Sequence, residues 1–166
     1  MKSSLPEADR HVGDNSHWGE YNACDPSVGR DSLSDGRQIR QLKNNNKHMN
    51  NDLSLLMEEN LAQVWSQRDP LARMQSIQTI YTVDSTLYHV GHKTTGHESI
   101  NGSVNSVLDN MPSEFSFFKL KPVVINNDMG RLIWGVGSSK ESIVATGMDI
   151  AVFKDGKIES LYVFLD

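Results

Sequence analysis

Cysteine is almost absent from this sequence: the 166 residues contain one, Cys24, so no disulfide can form within the chain. That fits a reducing compartment. No stretch approaches the ~20 apolar residues that a membrane span needs, and the first residues lack the apolar core of a signal peptide. No basic stripe is present, which argues against a nucleic-acid partner. The mild acidity, a formal charge of −5, argues against anionic membranes as well. Nucleophile-elbow patterns, phosphate-cradling glycine loops and a cysteine nucleophile in the apolar part of the chain are all missing. The expectation is therefore a cytoplasmic protein with no nucleic-acid and no membrane partner.

Apolar residues are also scarce, at 37% of the chain, and the deficit is local. Residues 1–51 are rich in Asn, Ser, Gly and Asp, with low-complexity runs at Asn44-Asn45-Asn46 and Asn50-Asn51. Their seven basic and seven acidic side chains cancel, so the rest of the chain carries the whole negative charge. This first part has too little apolar surface to offset chain entropy and reads as a disordered or loosely ordered polar tail. Trp18 and Tyr21 are isolated aromatics in it, either a short docking motif or without significance. Residues 52–166 have the periodic apolar groups and the size of one domain.

Within that domain, Leu53, Leu56, Met57, Leu61, Val64 and Trp65 recur at helical spacing, predicting a helix over about 52–67. Asp69-Pro70 is start chemistry for a second helix, with Leu71, Met74, Ile77 and Tyr81 as its buried face. A strand is expected over about 84–90. A loop bracketed by Gly91 and Gly96 follows, then a third helix over about 98–110 that Pro112 ends. Four strands then fit 115–125, 129–136, 143–153 and 157–165. Asn126-Asn127-Asp128 provides one turn and Asp155-Gly156 the strongest hairpin signal in the chain. Gly135 and Gly137 suggest a bend or bulge. Helices lead and strands follow, which is an α+β pattern, with the last strands as an antiparallel meander. A curved sheet around a helix layer leaves a concave interior, the ordinary place for a small ligand.

Three stretches resemble the SnoaL-like branch of the nuclear transport factor 2-like superfamily. They are Val64-Trp65-Ser66-Gln67-Arg68-Asp69-Pro70, Gly96-His97-Glu98-Ser99-Ile100, and the run from Gly147 through Asp149 to Asp155-Gly156-Lys157-Ile158. The resemblance spans about 115 residues and none of the tail. It implies a cone-shaped curved antiparallel sheet packed on three N-terminal helices, and a homodimer. Polyketide cyclases, a ketosteroid isomerase, dehydratases, epoxide hydrolases and non-catalytic transport proteins all use this fold, so function must come from the site.

Asp149 is the first candidate catalytic residue. Alternation places it on one face of its strand with Gly147, Ala151 and Phe153. A carboxyl among apolar neighbours has its pKa raised toward neutrality, which suits proton transfer. The resemblance makes Asp149 the counterpart of the acid/base aspartate of SnoaL-like cyclases. The alternative is a structural aspartate bonding backbone groups or a partner subunit.

His89 is the second candidate. Many relatives carry an aspartate where this chain has Leu87-Tyr88-His89-Val90. Imidazole titrates near neutrality, so the change either keeps a proton acceptor of different pKa or marks lost chemistry. His92 and His97 follow, but no Cys or nearby Asp supports a metal site, and none is expected. Trp65, Tyr81, Tyr88, Trp134 and Tyr162 are candidate ligand-binding residues, because each joins an apolar wall to a polar tip. The competing reading is plain core. Arg131 is expected to be solvated, and nothing supports the Asp-Arg-Asp arrangement of epoxide hydrolysis.

The expected function is a domain that binds a small apolar ligand, with cofactor-free isomerisation, cyclisation or dehydration of a carbonyl compound by acid–base chemistry. The alternative is a non-catalytic ligand-binding or dimerisation module.

Overall fold

The computed structural model describes residues 35–166, so Trp18, Tyr21 and Cys24 lie outside the described residues. The described residues form three α-helices and seven strands. The helices are α1 (Asp35–Asn60), α2 (Pro70–Ile80) and α3 (His97–Asp109). The strands are β1 (Tyr81–His89), β2 (His92–Thr95), β3 (Ser116–Lys119), β4 (Val124–Asn126), β5 (Met129–Gly137), β6 (Ile143–Lys154) and β7 (Lys157–Leu165).

Helix α1 begins well before Asp52, where the apolar periodicity starts. From Gln38 to Met49 it is exposed and mostly polar, so no buried apolar face marks it. The helix runs on into a π-helical turn, Leu61–Trp65, whose wider spacing buries Leu61, Val64 and Trp65 together. Asp69 caps α2 as its sequence suggests: its side chain accepts a hydrogen bond from the Leu71 amide at 2.9 Å, and Pro70 takes the first helical position.

The buried face of α2 differs from expectation. Leu71 is exposed, while Arg73, Ile77 and Ile80 are buried. Arg73 ties α2 to α3. Its Nε and Nη2 donate to Asn101 Oδ1 (2.6 Å) and Asn105 Oδ1 (2.8 Å), and its Nη1 donates to the Gln67 carbonyl (2.6 Å). Burial lowers its pKa, which Asp109 and Asp69 oppose. Arg68 closes the other end of α3, donating to the carbonyls of Leu108 (3.1 Å) and Pro112 (2.6 Å), which also accept from the Met111 and Phe115 amides.

The stretch between Gly91 and Gly96 is a strand, not a loop. Val90 and Gly91 both have positive φ (41° and 79°) and form a two-residue turn between β1 and β2. Strand β2 is exposed along most of its length and lacks the alternation that would have marked it. The single strand expected over 115–125 is two, β3 and β4, both paired with β5. Pro122, which has no N–H, lies between them.

Sheet order is β2-β1-β7-β6-β5-β3, with β4 also on β5. Strands β5, β6 and β7 form the expected antiparallel meander, but β1 runs parallel to β7. The curved sheet is therefore mixed rather than wholly antiparallel, and it stays unclosed. Register shifts lie at Val136/Gly137 and Val152/Phe153, so the bend expected near Gly137 is present. A Cβ on Gly137 would collide with the Ser142 carbonyl. Asp155 and Gly156 both adopt positive φ in the β6–β7 turn. The helices cover the concave face, and the core fills the space between with residues such as Met57, Ile77, Val104, Leu132, Ala151 and Leu161.

Candidate functional site

At one end of the concave face, register places four inward side chains in one row across the sheet. Leu132 of β5 pairs with Asp149 of β6, Asp149 with Val163 of β7, and Val163 with His89 of β1. Asp149 and His89 thus stand on either side of Val163. Adjacent strands are spaced about 4.8 Å apart, so their backbones lie about 10 Å from one another.

Both residues line one cavity of about 110 Å³. Its remaining walls are Trp65, Val90, Val107, Phe117, Trp134, Val163 and Leu165, so apart from Asp149, His89 and two indoles the lining is apolar. Trp134 packs edge-on against Phe117 (centroids 5.2 Å apart), and Phe117 in turn against Trp65 (5.9 Å). Sequence reasoning missed Val90, Val107, Phe117, Val163 and Leu165.

Asp149 is 3% exposed. Trp134 Nε1 donates to its Oδ1 at 2.8 Å, and among the described residues Oδ2 takes no hydrogen bond. Burial disfavours the carboxylate and raises the pKa from 3.8 to about 7, with the Trp134 hydrogen bond opposing the shift. The group therefore holds both protonation states in useful amounts at neutral pH.

The geometry that brings Trp134 onto Asp149 depends on Gly147. Trp134 and Gly147 face each other across β5 and β6, and the indole lies over the glycine. A Cβ there would come within 2.6 Å of Trp134 Cη2. With no side chain in the way, the ring reaches diagonally to Asp149, two residues along.

Tyr81 is buried below the cavity. Its hydroxyl donates to Asn60 Oδ1 at 2.7 Å, and its pKa is raised by burial and by the nearby Asp149. It does not line the cavity. Tyr88 and Tyr162 do not either: they point to the opposite face of the sheet, where their rings stack 4.5 Å apart and nearly parallel. Alternation explains this, because Leu87 and Leu161 point inward and each tyrosine is the next residue along. Of the five proposed ligand-binding residues, Trp65 and Trp134 thus share the cavity with Asp149.

His89 is half-buried at the cavity mouth, its ring centroid 5.7 Å from that of His92. Burial and then the neighbouring His92 lower its pKa, so the ring is neutral at pH 7. His97 lies elsewhere, donating from Nε2 to the Thr82 carbonyl at 2.9 Å, which fastens the start of α3 to β1. No group of three metal-ligating side chains occurs among the described residues.

No protein-family model and no curated protein matches the sequence. Solved structures do match. A proposed isomerase of the SnoaL-like family from Agrobacterium tumefaciens superposes with a TM-score of 0.63 at 19% identity, over 69% of this chain and 97% of that one. A proposed SnoaL-like polyketide cyclase from Jannaschia sp. CCS1 gives 0.61 at 11% identity, over 71% and 88%. This chain has the SnoaL-like, nuclear transport factor 2-like fold. A proposed ketosteroid isomerase from Kribbella flavida shares that fold with a TM-score of 0.54 at 9% identity, over 70% and 79%. At these identities the likeness extends to the SnoaL-like architecture and not to the chemistry. None of the helices in the described residues is long and apolar enough to cross a membrane.

Proposed function

We propose that the cavity beneath Asp149 binds a small apolar compound bearing a carbonyl group, and that Asp149 moves a proton on it. The carboxylate takes a proton from the carbon next to the carbonyl, leaving an enolate and a carboxylic acid. The acid then returns the proton to another carbon (isomerisation), to a hydroxyl that leaves the β-carbon as water (dehydration), or to the oxygen of a second carbonyl in the same molecule once the enolate carbon has bonded to that carbonyl's carbon (cyclisation). No redox change occurs and none of these steps requires a cofactor. The observation carrying this reading is a single carboxyl, buried among apolar walls, with its pKa near 7 and one fixed donor from Trp134. His89, neutral at the mouth, is the second group able to accept a proton.

The test is exchange of the α-hydrogens of small cyclic ketones in D₂O, followed by NMR. Exchange should exceed the buffer rate with the wild type and fall to it with Asp149→Asn. Equal rates in the two proteins would sink the catalytic role.

A second reading has specific support: a non-catalytic ligand-binding or dimerisation module. On the outer sheet face, Ile150, Tyr162 and Tyr88 form an apolar cross-strand row, and Phe164 beside it is half exposed. Ligands that raise the melting temperature without any exchange would favour this reading.

A further inference from the structure

The cavity beside Asp149 is too small for a whole ligand. Its volume of about 110 Å³ is below the roughly 150 Å³ of an apolar cavity that takes one benzene, and ordinary ligand sites are about 300–1,000 Å³. A carbonyl and the few carbons around it fill the space, so the rest of a longer molecule must leave. The way out follows from the sheet. The last β1–β7 pair is His89 with Val163. Beyond it β1 turns back at Val90-Gly91, while β7 runs on to Leu165, and pairing between the two strands stops. A cleft of about 540 Å³ lies there. It shares four wall residues with the cavity: His89, Val90, Val163 and Leu165. A second groove, along α3, shares only His89 and Val107 with the cavity.

The cleft has an apolar rim and one fixed charge. Val90, Phe164 and Leu165 are 61%, 51% and 57% exposed, and all three line this one opening. On the outer side, Lys93 holds its ammonium 5.7 Å from the centre of the Tyr88 ring, which stacks on Tyr162. No carboxylate lines the cleft, and none pairs with Lys93 among the described residues. We propose that cavity and cleft form one site for an elongated oxo acid, a hydrocarbon chain with a ketone at one end and a carboxylate at the other. This rests on the reading of Asp149 as the group that meets the carbonyl. The ketone end enters the cavity, the stem lies against Val90, Phe164 and Leu165, and the carboxylate meets Lys93. The opposite orientation would put two carboxyl groups together between apolar walls. Sheet order β2-β1-β7-β6 separates the backbones of Lys93 and Asp149 by three strand spacings, about 14 Å, which an extended chain of about twelve bonds covers. In an otherwise acidic domain, the ammonium also draws the anionic end to the rim.

Binding to the full chain, followed by NMR at a pH above the imidazole range, tests this. The probes are a straight-chain acid of about twelve carbons with a methyl ketone at its far end, the methyl ester of that acid, and butanone. All three should shift the Trp134 indole N–H signal, and the acid should bind more tightly than the ester. Lys93→Gln should weaken the acid about fivefold, the effect of losing an exposed ion pair, and leave the ester unchanged. Phe164→Ser should weaken both long probes and leave butanone unchanged. Both side chains are exposed, and circular dichroism checks that the variants are folded. An acid that binds no better than its ester, a Lys93→Gln chain with the wild-type preference, or a Phe164→Ser chain that binds the ester like wild type would each overturn the proposal. In those cases a Trp134 signal that still responds to butanone leaves the carbonyl site standing. If none of the probes moves that signal, the carbonyl site fails and the oxo-acid site with it.

Discussion

Trp134 reaches across from β5 to hold one oxygen of Asp149 at 2.8 Å, in a cavity whose other walls, apart from His89 and the Trp65 indole, are apolar. Burial and the hydrogen bond act on the carboxyl in opposite directions. Burial prevails, because a neutral indole N–H stabilises the charge much less than the lost water did.

Asp149 should make stability depend on pH in a defined window. The folded chain holds this proton up to about pH 7, whereas an unfolded aspartate releases it near 3.8. The folded state therefore binds more protons between those values, and its stability falls as pH rises through them, then levels off. The total is at most about 4 kcal/mol. Asp149→Asn removes this dependence. Its melting temperature relative to wild type should climb between pH 4 and 7 and stay constant above. A gap that does not change with pH would contradict the raised pKa.

Trp134→Phe removes the group that favours the carboxylate. The Asp149 pKa should move higher still, and the rising limb of a ketone-exchange pH profile should shift to higher pH. At pH 7 the exchange rate should fall, and at sufficiently high pH it should recover. A profile with an unmoved midpoint would show that the hydrogen bond contributes nothing to the charged state.

Gly147→Ala places a methyl group where the Trp134 ring lies. It also meets the Phe164 carbonyl of β7, so both the ring and the β6–β7 backbone must move, which should cost about 1–3 kcal/mol or more in urea unfolding. The indole N–H signal of Trp134 should also shift, as its bond to Asp149 lengthens. Gly102→Ala, at a helical position with open space around it, is the control and should be neutral or slightly stabilising.

Arg73→Met leaves the Asn101 and Asn105 side-chain oxygens and the Gln67 carbonyl without their donor. Hydrogen bonds to charged groups contribute about 1.5–3 kcal/mol each, so a loss of about 3 kcal/mol or more is expected. Folded variant protein should exchange ketone hydrogens at the wild-type rate, because Arg73 is outside the cavity.

His89 should titrate below the ordinary imidazole value of 6.5 in an NMR pH series. Replacing His92 with Gln removes one of the two causes and should move the midpoint upward. A wild-type midpoint above 6.5 would place His89 in a different environment from the one described.

Much of this was legible in the sequence because the relevant signals are local. Asp69-Pro70 specifies a helix start wherever it occurs, and Asp155-Gly156 specifies a tight turn. Asp149 was found by alternation within its own strand. The parts that were not legible depend on pairing. Whether Tyr88 and Tyr162 face the cavity depends on the inward direction of Leu87 and Leu161, which only the packed sheet decides. Phe117 lines the cavity because β3 pairs with β5 in one register. Arg73 carries no sequence signal of burial, because an arginine at a helical core position breaks the apolar pattern. The start of α1 was invisible because it buries no apolar face.

The parallel pairing of β1 with β7 also bears on how the domain comes together. It joins positions as distant in sequence as Leu87 and Leu161. Such a contact has a large loop to close and forms slowly compared with the β5–β6 and β6–β7 hairpins. A half-folded chain can therefore hold Trp134 against Asp149 while β1, with His89, is still undocked. The carboxyl would be in place before the pocket had a wall on that side, so an enclosed cavity should be the last feature to appear in a refolding time course.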